Sequence, residues 1–199
     1  MIKRFQEVRE AAKGQPLKKL AIVSAHAPHT VRSGLIAQEE GIAVPIFIGE
    51  RETIETLLRN EGLDPKNFRI EAADGEEAAA LRAVELARSG EAEILLKGNL
   101  STSVLMKKVL NKEAGLRTGH LLSDILLAEV KVDGKVKLIG VTDGGVNILP
   151  SVEEKRVIIL NAAKVYQRLG HSNPRVAVLS CIEYINEKIH STVDGAELQ

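Results

Sequence analysis

Ser101, Thr102 and Ser103 stand in a row behind the turn Lys97-Gly98-Asn99-Leu100, which itself follows the apolar run Ile94-Leu95-Leu96. The apolar run reads as a buried strand. The hydroxyl triplet opens a helix whose apolar positions are Val104, Leu105, Val109 and Leu110. A strand that leaves through a glycine turn into a Ser/Thr-headed helix presents unpaired backbone N–H groups and the positive end of a helix dipole. Phosphate is the commonest guest of such a place. Lys97, Lys107, Lys108 and Arg117 add positive charge to the same stretch. The pattern equally describes a capped helix with lysines on its solvated face, and both readings stand at this point.

Other residues carry chemistry of their own. Lys107 follows the hydroxyls by about one helical turn and can reach back toward the helix start. Arg117 lies between Gly115 and Gly119, where its guanidinium fork can take a phosphate through two parallel hydrogen bonds or pair with Glu113. Asp143 and Asn147 flank Gly144-Gly145; a carboxylate there orients a ligand, acts as a base, or caps the turn. His26 and His29 are three apart, but Pro28 between them points to a loop and no carboxylate cluster accompanies them, so packing is favoured over a metal. Cys181, the single cysteine, excludes an internal disulfide or a cysteine metal cluster and reads as a buried thiol at a strand end. There is no Walker A pattern, no G-x-G-x-x-G after a first strand and no G-x-S-x-G.

The elements that position these residues follow from periodicity. Residues 2–13 read as a helix, 20–23 as a strand, and 28–40 as a helix with Pro28 in its first turn. Residues 44–48 form a second strand, 50–60 a helix, 68–72 a third strand, and 74–89 an alanine-rich helix with Asp74 as its cap. Strand–helix alternation with short linkers, continued by the strand 94–96, marks a parallel sheet covered on both faces. After Gly119 the pattern changes. Residues 121–132 and 136–141 are β-rich runs joined by Asp133-Gly134-Lys135, a hairpin signal. A glycine-rich loop at 142–150, a helix at 153–170 with Ser151 as cap, and a strand at 175–181 complete the reading. Residues 185–199 have no clear core pattern. The expected fold is a three-layer α/β/α arrangement with a mostly parallel sheet plus an antiparallel hairpin, over a single region 1–199. Ligands of such sheets bind at the carboxyl ends of the strands, which selects the loops 24–29, 97–103 and 142–150.

Composition narrows the function classes. Hydrophobic residues make up 44% of the 199, enough for a real core. Lys+Arg and Asp+Glu are both 27, so a general attraction to nucleic acid or an anionic membrane is not expected and any basic site is local. Aromatics are 3% and Trp is absent, which argues against platforms for stacked bases. No apolar run approaches membrane-spanning length, and the charged start MIKRFQEVRE is unlike a signal peptide. A cytoplasmic protein is expected.

The run KGNLSTSVLMKKVLNKEAGLRTGHLLS, from Lys97, resembles the phosphate acetyltransferase/phosphate butyryltransferase family, nearer its butyryltransferase branch. GIAVPIFIGE, EAAALRAVELARSGEAEILLKG, LIGVTDGGVNILPSVEEKRVIILNA and NPRVAVLSCIE agree with the family in order, so that the fit runs through essentially the whole chain. Asn111–Gly119 is its most specific part. The resemblance implies a two-domain α/β/α fold like that of isocitrate and isopropylmalate dehydrogenases. It implies reversible acyl transfer between coenzyme A and inorganic phosphate, usually in homodimers, with acyl-CoA as substrate and neither metal nor redox cofactor. By position, Thr102 and Ser103 match the family's hydroxyl-bearing helix start, Lys107 a place where relatives often carry arginine, Arg117 the arginine of the GLRTG run, and Asp143 and Asn147 the polar pair of the later loop. Ser101, Thr102, Ser103, Lys107 and Arg117 are thus expected to bind substrate, with Asp143 and Asn147 at the chemistry.

The chain departs from the pattern in two places. Val104 replaces a residue that is often polar, and the resemblance stops at STVDGAEL, where family members continue into a second lobe. The fold is therefore expected in truncated form, as the first lobe plus the hairpin. The rival reading is a one-lobe, non-catalytic relative that binds a phosphorylated or CoA-like ligand or a partner protein.

Overall fold

A computed structural model describes residues 1–199. The chain divides into two compact units, one of residues 11–119 and one of residues 1–10 with 120–199. The first helix, α1 (Phe5–Lys13), runs across the division.

The 11–119 unit is built on four parallel strands: β1 (Lys18–Val23), β2 (Ala43–Gly49), β3 (Arg69–Ala72) and β4 (Ile94–Lys97), in the spatial order β3-β2-β1-β4. Between them run α2 (Pro28–Glu39), α3 (Arg51–Asn60) and α4 (Glu76–Arg88), and α5 (Thr102–Val109) follows β4. The strands are apolar on both sides because both faces are covered. Successive β1 residues point to opposite layers. Ala21 and Val23 pack with Ala79, Ala80, Ala83 and Leu86 of α4 and Leu105 of α5. Leu20 and Ile22 pack with Val31 and Leu35 of α2 and Ile54 and Leu58 of α3. The alanines of α4 bring that helix close to the sheet.

Gly34 does the same for α2. A Cβ there would fall 2.4 Å from Ile22 Cδ1 and 3.0 Å from Phe47 Cε1, so the helix rests directly on the strand side chains. Pro28 occupies the first turn of α2, as the sequence predicts, and the Thr30 hydroxyl donates back to the Ala27 carbonyl at 2.7 Å. The open edge strand β3 is dressed with charge: Arg69 pairs with Glu71 and Glu91, and Arg82 of α4 pairs with Glu71. Such charges discourage an edge from pairing with another sheet.

The second unit holds an antiparallel pair, β5 (Leu126–Val132) and β6 (Lys135–Val141). The turn between them is the predicted one, with positive φ at Asp133 and Gly134. α6 (Val152–Arg168) starts in a reciprocal cap in which the Ser151 side chain accepts from Glu154 N and Glu154 accepts from Ser151 N. The Tyr166 hydroxyl of α6 donates to the Leu138 carbonyl at 3.1 Å, tying helix to ribbon. The last element is α7 (His190–Glu197), which the sequence pattern does not announce.

Several expectations are corrected. Residues 121–125 lie outside β5. The residue before α4 is Gly75 and contributes no side-chain cap, so Asp74 does not cap it. Residues 175–181 form no strand, because no neighbouring strand is present to pair with them. Cys181 is accordingly exposed rather than buried. The 142–150 loop follows a strand of the antiparallel pair, so it is not one of the loops at the carboxyl edge of the parallel sheet. No helix is long and apolar enough to cross a membrane.

Candidate active site

In the order β3-β2-β1-β4, the chain direction of strand addition reverses between β1 and β4. The crevice outside the carboxyl ends at such a reversal is where open α/β sheets bind ligands. Here it is bordered by the loop Ser24–Ala27 after β1 and the loop Gly98–Ser101 after β4. The two loops are pinned together: Gly98 N donates to the Val23 carbonyl at 2.9 Å and Asn99 N to the Ser24 carbonyl at 3.1 Å. A Cβ on Gly98 would lie 2.4 Å from the Val23 carbonyl oxygen and 2.7 Å from that of Ser24, both backbone atoms. Glycine is the residue that permits this approach. Across the crevice Asn99 Nδ2 lies 3.1 Å from His26 Nε2. With the amide NH₂ as donor, that nitrogen is the acceptor and His26 carries its proton on Nδ1.

Ser101, Thr102 and Ser103 sit at the start of α5, all exposed. Ser101 is the cap residue but its side chain caps no backbone donor; its hydroxyl lies 2.7 Å from that of Ser103 instead. Ser101 N donates to Glu76 Oε2 at 3.0 Å. The N–H groups of Thr102, Ser103 and Val104 meet no acceptor, so the helix start keeps unpaired donors open to solvent. Lys107 follows Ser103 by four residues and therefore shares its helix face. It is exposed and pairs with no carboxylate. Of the other cations, Lys108 pairs with Glu77 at 2.7 Å. Lys97 Nζ donates to the Leu100 carbonyl at 3.0 Å, bracing the turn rather than facing a ligand.

Arg117 is placed apart from the hydroxyls. Asn111 Oδ1 accepts from Glu113 N and Ala114 N, folding the chain over, and Leu116 N donates to the Val109 carbonyl at 2.8 Å. Arg117 thus leaves from the C-terminal end of α5. Eight helical residues at about 1.5 Å each separate the two ends by about 12 Å. Arg117 is exposed and makes no ion pair with Glu113.

Asp143 and Asn147 belong to the other unit. Asp143 Oδ1 accepts from Gly145 N at 2.9 Å and Val146 N at 2.7 Å, and Oδ2 accepts from Asn147 Nδ2 at 2.6 Å. Asn147 Nδ2 also donates to the Leu122 carbonyl. Burial pushes the Asp143 carboxyl up, but the donors of Gly145, Val146 and Asn147 outweigh it and hold the pKa at about 2. The pair folds the glycine loop upon itself.

Sequence reasoning missed Glu76 and the cleft it borders. About 490 Å³ of space lies at the carboxyl ends of β1, β2 and β3, lined by Ser24, His26, Gly49, Glu50, Asp74 and Glu76 among others. Glu76 stands 25 residues from Ser101 with no motif linking them, so only the sheet order brings them together. A smaller hollow of about 330 Å³, between Lys19, Pro45 and Arg69, lies at the opposite, amino-terminal ends of the strands.

The family model for "Phosphate acetyl/butaryl transferase" matches residues 76–198, which includes α5, Arg117 and the Asp143–Asn147 loop. The chain belongs to this family. The phosphate butyryltransferase of Clostridium acetobutylicum is 36% identical over 199 residues, covering 100% of this chain and 65% of its own length. The phosphate acetyltransferase of Rhizobium meliloti is 35% identical over 180 residues, 90% of this chain and 56% of its own. Among solved structures, a branched-chain phosphotransacylase from Enterococcus faecalis V583 superposes with a TM-score of 0.72 at 32% identity, over 92% of this chain and 63% of that one. A phosphotransacetylase from Streptococcus pyogenes, 15% identical, shares the fold with a TM-score of 0.77. The chain spans 65% of the length of the Clostridium relative.

Proposed function

We propose that this protein transfers a short acyl group reversibly between coenzyme A and inorganic phosphate, as a cytoplasmic homodimer. In the direction of acyl-CoA synthesis, the CoA sulfur attacks the carbonyl carbon of an acyl phosphate. A C–S bond forms, the C–O bond to phosphate breaks, and inorganic phosphate leaves with the bonding pair. The reverse begins with a phosphate oxygen attacking the thioester carbonyl, and the thiol leaves. No electron changes hands, and the demands on the protein are to hold a phosphate, to stabilise the carbonyl oxygen as it becomes an oxyanion, and to orient the thiol.

The observation that carries this reading is the uncapped start of α5, with unpaired N–H groups at Thr102, Ser103 and Val104 beside exposed hydroxyls. In the proposal these donors, with Ser101, Thr102, Ser103 and Lys107, hold the transferred phosphate. Arg117, at the far end of the same helix, serves a separate anionic group, and coenzyme A carries several phosphates. Asp143 and Asn147 act as a pair that shapes their loop for the acyl phosphate or thiol. The proton of the thiol is not assigned to Asp143, since a carboxyl held at about 2 is a weak base at neutral pH.

Thiol release from a panel of acyl-CoAs, with and without phosphate, tests the proposal. Phosphate-dependent release is expected. Lys107→Ala should raise the phosphate KM by about tenfold, the loss of one charge-assisted contact of roughly 1.5 kcal/mol. A folded protein with no release from any acyl-CoA overturns the reading.

A further inference from the structure

The starts of α4 and α5 lie side by side, because Leu105 of α5 packs among Ala79, Ala80 and Ala83 of α4. That packing brings Glu76, the first residue of α4, to the open donors of α5. Its Oε2 accepts from Ser101 N at 3.0 Å, and its Oε1 meets no donor. A carboxylate has room for several donors, so Oε1 is an acceptor held ready beside the helix start. A second group points to the same place independently. Ser24, at the end of β1, lines the cleft that Glu76 borders, is 1% exposed, and makes no hydrogen bond through its hydroxyl. No side-chain oxygen sealed from solvent goes without a partner, so the sliver of surface that Ser24 keeps belongs to that hydroxyl. A hydroxyl so placed is satisfied only by something in the cleft. Glu50 and Asp74 line the same cleft, and no lysine or arginine does.

We propose that Glu76 distinguishes phosphate from unprotonated tetrahedral anions: its Oε1 accepts a hydrogen bond from a P–OH group of phosphate seated on the N–H groups of α5, while the Ser24 hydroxyl bonds a further phosphate oxygen from the β1 side. The inference rests on the phosphate reading above and adds the basis of its selectivity. Inorganic phosphate keeps at least one P–OH group at neutral pH. Sulfate has the same shape and no proton. On backbone donors alone the two anions bind alike. Beside a carboxylate they part. Phosphate turns its OH toward Oε1 and gains a charge-assisted bond. Sulfate can only set a charged oxygen against the carboxylate, and Glu50 and Asp74 add to that repulsion. Arsenate, which keeps an As–OH group, passes with phosphate. No proton changes hands, so the selection is one of binding.

The test is titration calorimetry of the full chain with inorganic phosphate, arsenate and sulfate at one ionic strength, since charge effects are screened by salt. The wild type should bind phosphate and arsenate at least tenfold more tightly than sulfate. Glu76→Gln keeps the shape and an acceptor oxygen but loses the charge. It should bring sulfate to within about threefold of phosphate, chiefly by tightening sulfate. Glu77→Gln, one residue on and paired with Lys108 instead, should leave the ratio where it was. Ser24→Ala should weaken phosphate about fivefold, the loss of one neutral hydrogen bond. Glu76 is exposed, so its folding is not at stake. An unchanged ratio in Glu76→Gln, or the same change in Glu77→Gln, overturns this inference, as does unchanged phosphate binding in Ser24→Ala. Phosphate-dependent thiol release by the same preparations then leaves the transfer reading intact. A chain that neither binds phosphate nor releases thiol overturns both.

Discussion

Asp143 spends its carboxylate on its own loop. Its folded pKa of about 2 lies below the ordinary 3.8, so the carboxylate contributes stability above the unfolded value, and that contribution is lost as pH falls through about 2. The Asp143 carboxyl carbon followed by NMR should therefore titrate near 2, with the amide signals of Gly145 and Val146 shifting alongside it. A midpoint near 4 would show that the loop bonds do not hold in solution. The cations of the α5 region divide in the same residue-by-residue way. Lys97 and Lys108 are engaged by a carbonyl and a carboxylate, whereas Lys107, on the helix face of Ser103, and Arg117, beyond the C-terminal end of α5, face solvent. Lys107→Ala should accordingly act on the phosphate KM, and Arg117→Ala mainly on the acyl-CoA KM, by about tenfold for a lost charge-assisted contact. Equal effects of Arg117→Ala on both constants would place it with the hydroxyls after all.

Among the elements, the join between β1 and β4 has the least tolerance. Gly98→Ala sets a methyl carbon against two backbone oxygens, and backbone cannot step aside as a flexible side chain can. The substitution should destabilise the fold by about 2–3 kcal/mol, read as a shift in urea midpoint, and should weaken phosphate binding by moving the start of α5. An unchanged midpoint would mean that the two loops separate easily. The same elements were also the most legible ones. The four parallel strands and α2–α5 announce themselves through short apolar runs, helical spacing and punctuation by Gly62, Gly90 and Pro28, all local signals. What stayed illegible depends on partners distant in sequence. Glu76 reaches Ser101 only through the sheet order. Residues 175–181 carry strand composition, but a strand exists only when another lies beside it, and β-propensity does not supply one. α7 is short and weakly patterned, and it forms where Thr192 and Ser191 find partners in Asn186 and Ser180.

At the scale of the molecule the two units differ in how completely they are sealed. In the 11–119 unit, β1 has a strand on either side and helices on both faces, and Ala21, Ile22 and Val23 are fully buried. In the other, Leu138, Ile158 and Thr192 are the buried residues, and Ile148 and Leu149 stand more than nine-tenths exposed. Amide hydrogen exchange should rank them accordingly, slowest at residues 21–23 and fast across 144–149. Uniform protection across both would contradict this difference in sealing.

The close seat of α2 carries a consequence for how this family can vary. With Gly34 pressed on Ile22 and Phe47, helix position and side-chain bulk are a single shared quantity at three sites far apart in sequence. A lineage that acquires alanine or serine at 34 must surrender volume at 22 or 47, or lift the helix and with it the loop that carries His26. These three positions are therefore expected to drift together among relatives, with large residues at 34 accompanied by small ones at 22.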